Sequence, residues 1–473
     1  MRLRLTTATL ARFLTLLFVL LPLGLLRHDT QEVRAEPEQV IKLYLPTMRQ
    51  NHPLQPSIFG AEINISHAEV AQKGRAANLY WTRYNGIRWS EVEAVQGVRD
   101  WTQVNAESIE LRYIVSKGLT PIVVVRGTPN WAQLIPGAAC GPIRAEHLDA
   151  YADFVGEVVT RYSQHPYNIH HWELGNEPDI SIQQLAGNGN SMFGCWGVEG
   201  DPYFGGEYYA EMLKRVYPAI KRADPTAQVL IGGLLLDCDP TNPPANKSCE
   251  SARFLEGILR NGGGNFFDMV AYHGYVFWAN NRVDWSQHDS NWQTRGGAVL
   301  GKLNFIRQML AAHNISKPVI LTEAGLLCHE STTCPVAEFE ADKANYAVRL
   351  YSRAWANGLQ GAIWFTLDGP GWREGGMLDA AQNPRPVFTT VHFLATRLSG
   401  GTYVGQDSVG SREGYIFRNA GRTYRIYWTN DTSSTTVSLP TGALVYDKYG
   451  RQMFPVGGTM PVGFDPVIIE SAN

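Results

Sequence analysis

The sequence predicts an α/β fold: a (β/α)8 barrel (a TIM barrel) followed by a small all-β, sandwich-like domain. Three observations carry that prediction. Short, near-continuous apolar runs such as Thr120-Pro-Ile-Val-Val-Val125 alternate with amphipathic stretches of helical spacing, and eight such strand–helix units fall between residues 57 and 399. Runs of that kind are strands buried on both faces, as parallel strands under helices are. Beyond Ser399 helical spacing stops, and short alternating runs separated by Gly and Asn-Asp turns replace it. Finally, 473 residues, 44% hydrophobic and 18% charged, are enough for a large core.

At the N-terminus, Arg2, Arg4 and Arg12 precede an apolar stretch, Phe13 to Leu26, and Val33-Arg34-Ala35 offers a small-residue cleavage pattern. Residues 1–35 read as a signal peptide, with an uncleaved anchor as the alternative. The stretch is shorter than the roughly 20 residues of a membrane span. No second hydrophobic span follows, so the expected chain is exported, to the medium, the cell surface or a periplasm. Residues 36–56 read as a linker, in which Ile41 to Leu45 could add one strand elsewhere.

The units then follow in order. Predicted strands are Ile58–Ile65, Leu79–Tyr84, Thr120–Val125, Ile169–Gly175, Gln228–Gly233, Phe267–His273, Pro318–Glu323 and Gly361–Thr366. Predicted helices are Ala68–Ala77, Val104–Lys117, Glu146–Tyr162, Glu207–Arg222, Ser251–Leu259, Gly301–His313, Ala341–Ala356 and Val387–Leu398. Residues 400–473 form the predicted β domain, with strands at Gly414–Arg418, Thr423–Trp428, Thr435–Leu439, Ala443–Tyr446 and Pro466–Ile469, read as a brace against the barrel.

Composition narrows the chemistry. A net charge of −3 gives no reason to expect nucleic acid or an anionic membrane. Six cysteines fit an oxidising compartment and allow 15 pairings; close spacing favours Cys238–Cys249 and Cys328–Cys334, leaving Cys140–Cys195. No Cys-x-x-Cys, Gly-x-Ser-x-Gly, Walker or His-Glu-x-x-His pattern occurs, and no metal or cofactor is implied. His170 and His171 are adjacent in a strand and so face opposite sides.

The active site of such a barrel lies where its strands end. The fourth strand ends in Trp172-Glu-Leu-Gly-Asn-Glu-Pro-Asp179, and the seventh in Leu321-Thr-Glu323. Glu173, Gly175 and Glu177 share one face at the strand period, with Asn176 opposite unless the backbone turns. Two glutamates at the tips of two strands are what glycoside hydrolysis needs. A separation of ~5–5.5 Å makes one the nucleophile; ~6.5–9.5 Å leaves room for water and inverts the sugar. Around them, Arg83 could neutralise Glu173 or supply donors, Asn176 could bond a sugar hydroxyl, His273 and Tyr275 end the sixth strand, and Trp364 could stack under a sugar face. Trp131, Trp196, Trp278, Trp285, Trp292 and Trp372 lie in rim loops.

With these residues in place, the chain resembles the clan of retaining glycoside hydrolases on (β/α)8 barrels. Asn176-Glu177-Pro178 is similar to the clan's fourth-strand pair and Leu321-Thr-Glu323-Ala-Gly to its seventh-strand element. The resemblance implies Glu177 as acid/base and Glu323 as nucleophile. It also implies substrate contacts from Arg83, Asn176, His273, Tyr275 and Trp364. Barrel plus small β domain resembles the β-xylosidase/α-L-iduronidase family; the octet also resembles the glucuronidase/heparanase family, and a cellulase- or mannanase-like family is a third possibility. Rim arginines Arg126, Arg144, Arg282 and Arg373 could meet a uronic carboxylate or simply be solvated. The expected protein is a secreted, monomeric O-glycosyl hydrolase acting on poly- or oligosaccharides, against the alternative of an inactive carbohydrate-binding barrel.

Overall fold

Alternation of buried apolar runs and one-faced helices resolves into eight parallel strands wrapped by helices. The computed structural model describes residues 53–63, 69–329, 334 and 336–473. The predicted signal peptide, the Ile41 to Leu45 strand and the end of the first predicted strand at Asn64 and Ile65 lie outside the described residues. The barrel strands are β1 (Phe59–Glu62), β2 (Trp81–Arg88), β3 (Thr120–Arg126), β4 (His171–Asn176), β5 (Gln228–Gly233), β6 (Val270–Trp278), β7 (Val319–Cys328) and β8 (Ala362–Trp364). Their order is β5-β4-β3-β2-β1-β8-β7-β6, and parallel bridges Leu230↔Met269 and Leu234↔Tyr272 close β5 onto β6.

The helices are α1 (Val70–Ala76), α2 (Trp89–Val92), α3 (Asn105–Ser116), α4 (Leu148–Tyr162), α5 (Gly206–Ala223), α6 (Phe254–Arg260), α7 (Gly297–Ala312), α8 (Ala337–Ala356) and α9 (Pro386–Leu398). All but the short α2 follow the predicted rhythm. In α4, Leu148, Tyr151, Ala152, Val155, Val158, Val159 and Tyr162 are buried at helical spacing, which turns one face onto the sheet. Inside the barrel, Trp81, Ile122, Leu230, Met269, Ala271, Ile320 and Ile363 form a separate apolar cluster drawn largely from the strands. Each such side chain contributes about 1.5–3 kcal/mol on burial.

Several strand ends differ from the sequence-based expectation. β2 runs on to Arg88, β6 to Trp278 and β7 to Cys328. Glu323 is therefore mid-strand rather than at a tip. The extension exists because β6 and β7 keep pairing past the polar residues, from His273↔Glu323 to Trp278↔Cys328. After α9 the chain becomes antiparallel: six strands in the order β14-β13-β16-β11-β10-β9, and a β12–β15 pair. Strands β9 (Thr402–Gln406), β14 (Gln452–Met453) and β15 (Thr459–Val462) were not expected from sequence. Of the others, β10 (Arg412–Asn419), β11 (Arg422–Thr429), β12 (Thr435–Ser438), β13 (Leu444–Asp447) and β16 (Val467–Ala472) overlap the predicted runs.

The disulfides are Cys140–Cys195, Cys238–Cys249 and Cys328–Cys334, the pairing that spacing favoured. The antiparallel sheet is fastened to the barrel by buried charge. Arg353 on α8 donates to Asp284 at 2.9 and 3.0 Å and to Glu413 at 2.5 and 3.0 Å. Arg349, one turn earlier, donates to Asp284 at 2.8 Å and to the carbonyl of Phe464 at 2.7 Å. Burial opposes the charge on Asp284, but Arg353 and Arg349 outweigh it and hold the carboxyl well below its ordinary range.

Arg353→Met leaves Glu413 without its guanidinium and Asp284 with one partner of two, and is expected to lower stability by about 3–5 kcal/mol in equilibrium denaturation. Because the Asp284 carboxyl is depressed, the contribution is complete above about pH 4 and is lost as pH falls through the folded value, so the difference between wild type and variant shrinks in acid.

Candidate active site

The guanidinium of Arg83, fully buried on β2, gathers the site. It donates through Nε and Nη2 to the two oxygens of Glu173 at 3.0 and 2.8 Å, through Nη1 to Glu62 at 2.8 Å and to Glu323 at 2.5 Å, and through Nη2 to Asn176 Oδ1 at 2.7 Å. Burial opposes its charge, but Glu173, Glu323 and Glu62 hold its pKa well above the ordinary value. Arg83 thus does both jobs considered for it. Glu62, at the end of β1, is a site carboxylate that the sequence reading missed; its signal was the same as that of Glu177, an acid closing a short apolar strand.

Two departures from strict alternation bring the groups together. Gly175 has φ +90°, a conformation open to glycine, and this turn puts Asn176 beside Glu173 on Arg83 rather than on the opposite face. Glu177 itself sits at φ +47°, an uncommon backbone for a non-glycine residue that is held here by the strand on one side and Pro178 on the other. On β7, the register against β8 shifts between Leu321 and Ala324, which turns Glu323 inward next to Thr322.

The two glutamates are close and unequal. One oxygen of Glu177, one ring nitrogen of His273 and one oxygen of Glu323 lie within 4.8 Å of one another. His273 Nδ1 is 2.7 Å from Glu177 Oε1 and 3.5 Å from Glu323 Oε2. Burial, opposed by Glu323 and aided by Arg83, takes the His273 pKa down to about 4, so the ring is neutral at pH 7. With two carboxylate oxygens facing Nδ1, that nitrogen carries the hydrogen. Glu323 also accepts from the Tyr275 hydroxyl, whose own pKa burial and Glu323 push far up, keeping it a donor. Glu177 Oε2, by contrast, is buried without a protein partner. Burial raises the carboxyl pKa of Glu177 to about 7, and burial raises that of Glu323 as well. Arg83 and Tyr275 favour the ionised form of Glu323, so the proton belongs on Glu177, at Oε2.

These three side chains also have the spacing of a metal triad. Most of their donor atoms are already engaged: the two oxygens of Glu323 face Arg83 and Tyr275, and His273 Nδ1 faces Glu177 Oε1. The Arg83 cation beside Glu323 further opposes a second cation. In the other acid–cysteine group, Asp237 with Cys238 and Cys249, the sulfurs are tied in a disulfide.

His273 is fully buried and touches Glu177 rather than open space. Trp364, expected beneath a sugar, is a correction: it is fully buried, its Nε1 donates to the carbonyl of Gly375 at 2.8 Å, and no ring face is exposed. An exposed aromatic nearby is Trp372, 48% exposed and edge-on at 5.7 Å to Tyr275, the residue that donates to Glu323. Under the site, Lys302 on α7 donates to the carbonyl of His273 at 3.0 Å, and Asp179 accepts from the amides of Leu235 and Leu236 at 2.9 and 2.8 Å.

No family model matches the sequence, and no curated protein matches it. Solved structures do. A family 39 glycoside hydrolase from the gut symbiont Bacteroides cellulosilyticus WH2 superposes with a TM-score of 0.65 at 18% identity, over 88% of this chain and 81% of that one. A family 30 endoxylanase from Clostridium papyrosolvens C71 gives 0.57 at 11% identity, over 90% and 98%. A family 51 α-L-arabinofuranosidase from Bifidobacterium longum gives 0.58 at 12% identity, over 89% and 97%. At such identities the likeness is one of fold: the (β/α)8 barrel shared by these glycoside hydrolases.

Gly233 makes room for the His273 ring, since a Cβ there would stand 2.1 Å from Nε2 and 2.8 Å from Thr322 Oγ1. Gly233→Ala is expected to displace the ring from Glu177 and to destabilise by about 1–3 kcal/mol, measured by chemical denaturation.

Proposed function

We propose that this chain is a glycoside hydrolase that retains anomeric configuration by double displacement. The observation that carries the reading is the pair Glu177 and Glu323, with an oxygen of each within 4.8 Å and with unequal donors. Oxygens so close leave little room for a water between the two groups, which supports the retaining arrangement of carboxyls ~5–5.5 Å apart over the inverting one at ~6.5–9.5 Å. The barrel it shares with families 39, 30 and 51 supports the same class by analogy of fold.

In this reading Glu323, kept ionised by Arg83 and Tyr275, attacks the anomeric carbon. Glu177 delivers its Oε2 proton to the departing oxygen, then takes a proton from the water that releases the sugar from Glu323. Asn176 lies where a sugar hydroxyl would be held, and Trp372 offers an apolar ring at the rim. Arg83, expected to touch substrate, is fully buried with every N–H given to a protein acceptor and acts only through the groups it holds. We assign residues 57–399 to the catalytic barrel and 400–473 to the β domain. Three disulfides support export into an oxidising compartment. Among the described residues no helix is long and apolar enough to cross a membrane.

Labelling with a mechanism-based fluorosugar followed by peptide mapping is expected to place a covalent adduct on Glu323; a chain that binds sugar yet never forms an adduct is the inactive barrel instead. Glu177→Gln is expected to lower turnover about 10²–10⁴-fold while sparing the first step on an activated aryl leaving group, which departs without a proton. Glu323→Gln is expected to abolish both steps. Because Glu177 must be protonated and its pKa is raised to about 7, kcat/KM is expected to fall as pH rises through about 7.

A further inference from the structure

A cavity of about 300 Å³ opens against the ends of β2, β3 and β4. It lies beside the two carboxylates rather than over them, and Asn176 is the wall it shares with them. Arg88 closes β2 and Arg126 closes β3, and the two pair in register on adjacent strands, so two like charges line one mouth. Arg88 is answered by Glu91, which also lines the cavity, at 2.7 Å. For Arg126 no ion pair forms among the described residues. Its Nε donates to Asn85 Oδ1 at 2.7 Å, and its Nη2 donates to the Met192 thioether at 3.3 Å.

A thioether is a weak acceptor for a largely buried guanidinium. Burial first, then Arg88 and Arg83, take the Arg126 pKa down to about 10, a cost that an anion would reverse. Met192 is 52% exposed, and its sulfur is also 3.9 Å from Arg88 Nη2. Its carbonyl accepts from Asn176 Nδ2 at 3.2 Å. One flexible, unbranched side chain therefore sits between two guanidiniums, while its own backbone holds the amide next to Glu177.

We infer that this cavity is a subsite for an anionic substituent of a sugar, a carboxylate or a sulfate, which displaces the Met192 thioether and takes the guanidiniums of Arg88 and Arg126. Both oxyanions match a guanidinium fork. Displacement also loosens the backbone that holds Asn176 Nδ2, releasing that amide to a hydroxyl of the neighbouring sugar. The placement of that sugar rests on Glu177 and Glu323 acting as proposed above; the anion site itself does not.

Calorimetric titration of the purified protein with glucuronic acid, glucose 6-sulfate and glucose tests the inference. At least one of the two acids is expected to bind about tenfold more tightly than glucose, and to weaken with added salt. That advantage is expected to vanish in Arg126→Gln and in Met192→Glu, whose own carboxylate fills the gap. Met192 is exposed, so Met192→Glu remains informative even where Arg126→Gln does not fold. A gain for glucuronic acid alone identifies a carboxylate site, and a gain for glucose 6-sulfate alone a sulfate site. Equal binding of all three sugars, no binding of any, or an advantage that survives both substitutions overturns the inference. The titration needs no turnover. Acid binding without a Glu323 adduct would overturn the glycosidase reading alone, and an adduct without acid preference would overturn the subsite alone.

Discussion

One guanidinium holds this structure's interior to its function. Arg83 reaches Glu62 on β1, Glu173 and Asn176 on β4, and Glu323 on β7, so a single side chain ties strands from both sides of the barrel. Three buried carboxylates around one cation leave an excess of negative charge. The remaining carboxyl, Glu177, is raised chiefly by its burial, with Glu173 adding in the same direction and Arg83 opposing. Replacing a buried network by apolar groups is often harmless to stability. What this one sets is position: Glu62, Glu173, Asn176 and Glu323 are held around a single cation.

How much of this could be read from residues alone depends on the period each feature follows. Buried parallel strands announce themselves as apolar runs, and helices by their one-sided spacing, so the barrel and its fourth and seventh strands were legible. Strand ends were not, because a polar residue, His273 or Glu323, interrupts each apolar run and reads as its end, although β6 and β7 go on pairing through the apolar residues beyond it. Face assignment failed where the backbone leaves the period of two. Gly175 turns Asn176 toward Arg83, and the shift between Leu321 and Ala324 turns Glu323. Trp364 and Trp372 show the remaining gap: both are tryptophans at or near the eighth strand, and only tertiary packing decides that the first is buried and the second open. In the terminal sheet, β14 is two residues long and β9 is half exposed, too little pattern to recognise.

The antiparallel sheet is joined to the barrel by more than apolar contact. Asp284 lies in the loop after β6, the strand that carries His273 and Tyr275, and its partners Arg349 and Arg353 come from the helix after β7, the strand that carries Glu323. Glu413 on β10 completes the cluster. A charge cluster of this kind is demanding in geometry, since each oxygen has an assigned donor. It fixes the loop after β6 and the helix after β7 against a common support, and so steadies the strands that carry His273, Tyr275 and Glu323.

The Cys140–Cys195 bond has a consequence of another sort. It joins the segment after β3 to the segment after β4, and the amide of Gly194 beside it donates to the carbonyl of Asn176. Met192 lies three residues from that bond, so the stretch that covers the anion-facing arginines is leashed at one end by sulfur chemistry. A chain still in a reducing cytosol would hold every acid and base in place and yet have a slack cover over them. Forming this bond then orders the cover as a step of its own, separate from the folding of the barrel beneath it.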